Sequence, residues 1–367
     1  MKTLSSNDYS NRKKVSVYEW IRIIGTIFVV IGHSAYVSIS SQYGEINYAM
    51  PEHLAQLFPF KALDAISRYI AAFHMPLFFF LSGAVLHLKP LKPLKEFIIG
   101  KSKRLLIPYV FVGLLFMFPI KYFTGFYSSD SFIKSVLSFF VSTGDSGHLW
   151  FLVALFLCMI IFVLMVKILT KFNLYNEYAL LLISIILQWI SASNITTEVL
   201  GIKKALGYIF WFALGYCFEK IRKAISIKQA LFLSICYVML LCLNSLELII
   251  LPYEMIILVN CFGIYLVSEL FSMLFSKIEE NKAYKIFVRN LFNIYLFHDP
   301  LEYIVLKLFM DSNWLNNDLG CYIYMFCRIV VVIIVSVLIG EILRVLSTGL
   351  KKIKQKITNT DKNIISV

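Results

Sequence analysis

Charged residues are scarce in this chain of 367 residues, of which only 16% are Asp, Glu, Lys or Arg and 59% are hydrophobic. A soluble globular domain has about 25% charged residues. The mean hydropathy of +0.76 points the same way, so the composition excludes an ordinary soluble protein. Because the longest polar stretches have the length of loops and short tails, we expect no appended soluble domain.

The sequence also lacks the signatures of several common functional classes. It has no glycine-rich phosphate loop, no heptad run and no internal repeat. Its seven cysteines are scattered through apolar segments without CxxC spacing, so neither a structural zinc site nor any other metal site is indicated. Cysteines in such a pattern are typical of small apolar packing residues.

Apolar runs long enough to span a bilayer recur along the chain, and Trp150–Val166 is the cleanest of them. No Ala-x-Ala-like cleavage site follows the first run, which also carries Arg22, and this favours a retained helix over a signal peptide. Apolar length and charged or Pro/Gly breaks predict an all-α polytopic membrane protein of about ten transmembrane helices. The predicted spans lie near residues 17–39, 66–88, 105–123, 148–167, 176–193, 203–219, 228–244, 254–275, 288–309 and 320–346.

The basic residues follow the positive-inside rule when the N-terminus is placed in the cytoplasm. About 26 of the 35 Lys and Arg then fall on the cytoplasmic side and about seven outside. This predicts basic cytoplasmic tails at 1–16 and 347–367, flanking a bundle at 17–346. The net charge of +13 follows from this bias and from contact with anionic membrane lipids, so no nucleic-acid partner is expected. The richness in Lys, Ile and Asn suggests an AT-rich bacterial genome, and we expect a multi-pass protein of a bacterial cytoplasmic membrane.

The first predicted span carries two basic residues at membrane depth, Arg22 and His33. An arginine within a span is costly and by default marks a functional site. Eleven residues make almost three helical turns, so both side chains share one face about 16 Å apart, which is the reach of a pantetheine arm. The alternative for Arg22 is an ion pair with Glu19, three residues earlier on the same face.

Further polar residues are predicted to converge on the outer half of the membrane. His74, in the second span, reaches a depth similar to that of His33, and Pro76 follows it in a position that frees backbone groups. The others are His148, Trp150, His298, Asp299 and Arg328. Three alternatives remain open: His148 is a solvated interfacial residue, Trp150 is an interface anchor, and His298 and Asp299 satisfy each other or Arg328 as a buried structural pair.

Five short motifs in order resemble the membrane-bound acyltransferase 3 family, and especially its fucose 4-O-acetylase-like branch. The family pattern of an arginine, ten residues and a histidine is matched by Arg22 and His33, and Glu19 stands where the family has an acidic residue. The remaining motifs are FHMPLFFFLSG at 73–83, KRLLIPY at 103–109, HLWFL at 148–152 and IYLFH at 294–298. The resemblance covers about residues 15–345.

The resemblance implies an enzyme that passes an acyl group, usually acetyl, from cytoplasmic acyl-CoA to a hydroxyl of an extracytoplasmic surface glycan or lipid-linked sugar. It makes His33 the catalytic histidine, acting as general base or as acyl carrier. Arg22 would steer the phosphates of CoA or bind along the pantetheine arm. The cluster Lys101, Lys103 and Arg104 would meet the anionic nucleotide end or carry ordinary positive-inside charge. Glu19 would have an orienting role.

Other residues receive roles that stay open between two or three choices. His74 polarises the thioester carbonyl, orients His33 or binds the acceptor, and Ser82 contacts the pantetheine arm or serves packing together with Gly83. The residues assigned to the acceptor are His148, Trp150, His298, Asp299 and Arg328. Aromatic residues of the outer loops stack on sugars or anchor the interface, namely Tyr43, Tyr48, Phe126, Tyr127 and Trp314.

Two hypotheses from other classes compete with the enzyme. A polysaccharide or lipid-linked sugar exporter or flippase would also place polar groups at depth, although the paired repeats typical of transporters are not evident. A membrane sensor or scaffold would keep the fold without the chemistry, and intact Arg22 and His33 argue against it.

Overall fold

The computed structural model describes residues 6–34, 39–40, 47–48, 56–123, 131–141, 146–193, 200–310 and 313–365. The described chain is helical apart from a short antiparallel pair of strands, β1 at Ile39–Ser40 and β2 at Asn47–Tyr48. Its helices are α1 Ser6–Ser34, α2 Phe58–His87, α3 Leu94–Phe123, α4 Phe132–Val141, α5 Trp150–Lys171, α6 Glu177–Ala192, α7 Ile202–Gly207, α8 Ile209–Ile221, α9 Ile227–Ser245, α10 Tyr253–Leu274, α11 Lys282–Met310, α12 Asp318–Phe326 and α13 Val332–Ile365.

Seven helical segments within the described residues are long and apolar enough to cross a membrane. They are Ser16–Ser34, Phe60–His87, Leu94–Phe123, Gly147–Lys171, Ile227–Ser245, Tyr253–Leu274 and Asp318–Gly349. The all-helical membrane class is therefore confirmed. The remaining predicted spans coincide with α6, with the α7–α8 pair and with α11, so ten spans and cytoplasmic termini stay predictions.

Helices α2 and α8 approach so closely that their backbones touch. A Cβ at Gly83 would collide with the backbone carbonyl of Phe212, and one at Gly215 would collide with that of Phe80. Glycine is therefore required on both sides, as in other close helix pairs within membranes. The packing role predicted for the Ser82–Gly83 pair belongs to Gly83, whereas Ser82 faces a cavity.

Helix α3 contains two π-helical segments, Ser102–Leu106 and Gly113–Met117. Each segment includes the residue four positions before a proline, Arg104 before Pro108 and Leu115 before Pro119. A proline has no N–H to bond the carbonyl four residues back, and membrane helices adjust locally to a π pattern in response. The π turn at Ser102–Leu106 carries the basic side chains that follow the second predicted span.

Helices α12 and α13 join without a break through a third π-helical segment, Cys327–Val331, in which the Val332 N–H donates to the Cys327 carbonyl. Neither this segment nor the four residues after it contain a proline. Arg328 lies within the segment, and its side chain is buried.

Candidate active site

A cavity of about 1250 Å³ runs along one face of α1 and one face of α2. On α1 it is lined by Tyr18, Arg22, Thr26 and His33, among others, at the spacing of a single helical face. On α2 its lining extends from Ala71 to Leu86, which corresponds to about 22 Å along the helix axis. The cavity thus joins two groups of polar residues that the sequence places far apart.

The basic end of the cavity, as we call it, is lined by four cations, Arg22, Lys89, Lys101 and Arg104, and by the carboxylate of Glu19. Among the described residues, neither Arg22 nor Arg104 makes an ion pair or hydrogen bond. Arg22 and Glu19 thus line the same end of the cavity without a direct ion pair between them.

Two lysines beside the basic end differ in what they face. Lys101 lies over the ring of Phe97, with its Nζ 5.2 Å from the ring centroid, and still lines the cavity. Lys103 is exposed and is not part of the lining. The predicted cluster of three basic residues thus contributes Lys101 and Arg104 to the cavity.

The histidine end of the cavity is built around the carboxylate of Asp299. Its Oδ1 lies 3.3 Å from Nδ1 of His33, and its Oδ2 lies 2.9 Å from Nδ1 of His148. The ring of His298 completes the group, with its centroid 4.9 Å from that of His33 and 4.8 Å from that of His148. These four residues, the histidine end, come from α1, from the 3₁₀ turn Gly147–Leu149 and from α11. His74 also lines the cavity.

The partners of these imidazoles fix their tautomers. A carboxylate accepts hydrogen bonds, so His33 and His148 both carry their proton on Nδ1 and donate it to Asp299. His298 donates from Nδ1 to the carbonyls of Ile294 and Tyr295, at 3.1 and 2.8 Å. In the neutral form of each ring, Nε2 is then the acceptor, and those of His148 and His298 have no hydrogen-bond partner among the described residues.

Burial and hydrogen bonding at the histidine end decide two alternatives left open by the sequence. The His148 side chain is 3% exposed, so its interpretation as a solvated interfacial residue is wrong. His298 and Asp299 do not satisfy each other or Arg328, since Asp299 binds the two other histidines instead. Arg328 pairs with Glu302.

Gly147 allows the close approach of His148 to Asp299. Its φ is +57°, a left-handed conformation, and a Cβ there would collide with the Met117 methyl and lie 3.0 Å from Oδ2 of Asp299. The Tyr295 hydroxyl donates to the His148 carbonyl at 2.7 Å and holds the turn from the other side.

Trp150 lines the cavity. Lys204 makes a cation–π contact with its ring, with Nζ 4.7 Å from the ring centroid. Tyr208 stacks against Trp150 with ring centroids 5.8 Å apart. The ring therefore contacts Lys204 and Tyr208 and lines the cavity, and the choice between substrate contact and interface anchor stays a prediction. Among the predicted outer-loop aromatics, Trp314 is exposed and does not line the cavity. Tyr43, Phe126, Tyr127 and the side chain of Tyr48 lie outside the described residues.

Sequence reasoning missed several residues that line the histidine end, notably Lys121 and Glu302. Both could have been predicted from the sequence. Lys121 is a charged residue within an apolar segment, and Glu302 lies three residues after Asp299 on the same helix face. Glu302 is 1% exposed and Lys121 is 2% exposed.

A family model described as an acyltransferase domain, the acyltransferase 3 family, matches residues 16–341. The match covers the cavity from its basic end to its histidine end, and the chain belongs to this family. No curated protein and no solved structure matches the chain.

Proposed function

We propose that this member of the acyltransferase 3 family, a membrane O-acyltransferase, takes an acetyl group from cytoplasmic acetyl-CoA and transfers it to a hydroxyl of an extracytoplasmic glycan or lipid-linked sugar. The observation that carries the proposal is one continuous cavity with four basic side chains at one end and the Asp299–histidine cluster at the other. The proposed setting is a bacterial cytoplasmic membrane, with the basic end toward the cytoplasm.

The basic end suits the nucleotide part of CoA. Phosphates are bound by arginine and lysine side chains, and Arg22 and Arg104 have no ion-pair partner among the described residues. Arg22 lies about 16 Å along α1 from His33, so phosphates held at the basic end leave the thioester near the imidazole.

The cavity also has room for two substrates at once. Pockets for one drug-sized ligand measure about 300–1,000 Å³. The 1250 Å³ measured here exceeds that range, as a site for donor and acceptor together requires. Ser82 and Phe78 line the stretch between the two ends, where the pantetheine arm would lie.

The chemistry follows from the tautomer of His33. The hydrogen bond from Nδ1–H to Asp299 leaves the lone pair of the neutral imidazole on Nε2, which takes the proton of the sugar hydroxyl as that oxygen attacks the thioester carbonyl. The C–S bond then breaks, and the CoA thiolate receives a proton from the imidazolium. In a covalent variant, Nε2 itself attacks the carbonyl and the C–S bond breaks, which releases the CoA thiolate and leaves an acetyl-imidazolium. The sugar hydroxyl then takes the acetyl group as the C–N bond breaks, and its proton goes to the thiolate.

The proposal is tested by acetyl-CoA turnover with purified protein in liposomes supplied with candidate glycans, following CoA release and transfer of labelled acetyl. His33→Ala should abolish turnover, and Arg22→Ala should weaken acetyl-CoA binding. The matched controls are His87→Ala and Arg68→Ala, because neither residue lines the cavity.

Each outcome bears on one hypothesis. Wild-type turnover that is lost in His33→Ala but kept in His87→Ala supports acyl transfer. If the wild-type protein neither binds nor turns over acetyl-CoA, the enzyme is refuted, and a glycan exporter becomes the better account. A cellular phenotype unchanged by His33→Ala would favour a sensor or scaffold.

A further inference from the structure

Arg328 holds the backbone of the residue that bears the proposed catalytic imidazole. Its Nη2 donates to the His33 carbonyl at 3.0 Å and to Oε2 of Glu302 at 3.0 Å. Its Nη1 donates to the Tyr324 hydroxyl at 2.8 Å. We infer that Arg328 is a positioning residue for His33, an inference that rests on the acyl transfer proposed above.

The His33 carbonyl lies in the last described turn of α1, whose described residues run to Ser34. A guanidinium that donates to this carbonyl fixes the backbone of the residue that bears the imidazole. In a membrane bundle a backbone carbonyl without a donor is costly, so the bond from Arg328 stabilises this part of α1. With Asp299 binding the ring and Arg328 binding the backbone, His33 is held from two sides.

The π-helical segment Cys327–Val331 indicates that the position of Arg328 is specific. The two π segments of α3 are accounted for by Pro108 and Pro119, whereas no proline follows this one within four residues. The wider turn is therefore not a response to a missing N–H. Single π turns within α-helices occur frequently at functional sites, and this one carries the guanidinium.

Glu302 supplies the countercharge that lets the guanidinium stay buried. Both side chains of the pair are nearly inaccessible, at 3% for Arg328 and 1% for Glu302. Removing one partner of a buried pair leaves an uncompensated charge, which destabilises the fold regardless of any role in catalysis. A test of positioning must therefore keep the charge or remove both partners.

The sequence assigned Arg328 to substrate binding. A substrate-binding residue and a positioning residue have different effects on the kinetic constants. A group that binds the acceptor equally in ground and transition states changes KM, whereas a group that aligns the base changes kcat. Two guanidinium nitrogens of Arg328 are already bonded to His33, Glu302 and Tyr324, which favours alignment.

The experiment compares Arg328→Lys and Glu302→Gln/Arg328→Met with wild type in the liposome turnover assay. Lysine keeps the charge but lacks the planar two-nitrogen fork that reaches the separated acceptors, and the double variant removes both charges. We expect kcat to fall about 10–100-fold in both, with both KM values within about twofold of wild type, because misplacement by about 1 Å costs about 100-fold. Arg344→Lys, at an exposed arginine on α13, is the control and should leave both constants unchanged.

Thermal unfolding in detergent separates alignment from instability, and if Arg328→Lys fails to fold, the charge-balanced double variant carries the test. A raised acceptor KM at unchanged kcat, or unchanged constants in a folded variant, overturns the positioning role alone. An inactive wild-type protein would instead refute the acyl transfer and, with it, this role.

Discussion

Asp299→Asn is the substitution that most directly probes the histidine end, because it removes a charge and one acceptor atom with little change of shape. The carboxylate accepts from His148 at 2.9 Å and from His33 at 3.3 Å. An asparagine offers one acceptor oxygen and one NH₂ donor. Its oxygen should keep the shorter bond to His148, so the NH₂ group faces Nδ1 of His33.

A donor facing Nδ1 forces His33 to carry its proton on Nε2, where the proposed base needs a lone pair. General base catalysis contributes about 10²–10⁴ in rate. We therefore expect kcat to fall by two to four decades, which equals about 3–5 kcal/mol of activation free energy. The KM for acetyl-CoA should stay near the wild-type value, because the basic end lies about 16 Å away along α1.

The assay is steady-state CoA release from purified protein in liposomes, with acceptor glycan present at saturation. Asp64→Asn is the matched control, since Asp64 is half-exposed and pairs with exposed Arg68. An Asp299→Asn protein that is folded and keeps more than about a tenth of wild-type kcat would refute the assigned tautomer, because the base would then work without it.

Three further substitutions have expected outcomes. Gly147→Ala forces a Cβ into a left-handed backbone against Met117 and Asp299. We therefore expect the free energy of unfolding to fall by about 1–3 kcal/mol and kcat to fall as well. The control is Gly100→Ala, where a Cβ meets nothing within 4 Å. Gly83→Ala should lower the melting temperature in detergent, because the added Cβ overpacks against α8 and lowers the free energy of unfolding by about 1–3 kcal/mol. An unchanged melting temperature would contradict the backbone contact. Arg104→Ala should raise the KM for acetyl-CoA about fivefold while Lys103→Ala leaves it unchanged. With acetyl-pantetheine, which lacks the nucleotide, Arg104→Ala should have no effect; a persisting effect would place Arg104 away from the phosphates.

The sequence predicted which residues meet better than it predicted how they meet. His33 and His74 could be placed at similar depth, and the other polar residues in the outer half, because helical rise converts residue number directly into distance. The burial of His148 could not be predicted in this way, because His148 begins a predicted span. Its inward direction depends on the 3₁₀ turn and the positive φ of Gly147, which leave no periodic signal.

The three π-helical segments show a second limit of sequence reasoning. Pro108 and Pro119 predict a missing backbone hydrogen bond at the carbonyl four residues earlier, but they do not predict that the helix responds with a π turn. The segment at Arg328 has no such marker in the sequence. It depends on tertiary partners on α1, α11 and α12, so only the packed bundle reveals the shift of register.

The two ends of the cavity differ in how their charges are satisfied, and this difference assigns them different tasks. At the histidine end, Asp299 accepts from two imidazoles and Glu302 accepts from Arg328, so the carboxylates are held within the protein. At the basic end, Arg22 and Arg104 have no partner among the described residues and line the same cavity. Arg104 is exposed and Arg22 half-buried, so water solvates these charges until an anionic ligand takes its place. The basic end is therefore suited to reversible binding of an anionic ligand. The histidine end is suited to proton transfer between groups held in a fixed geometry.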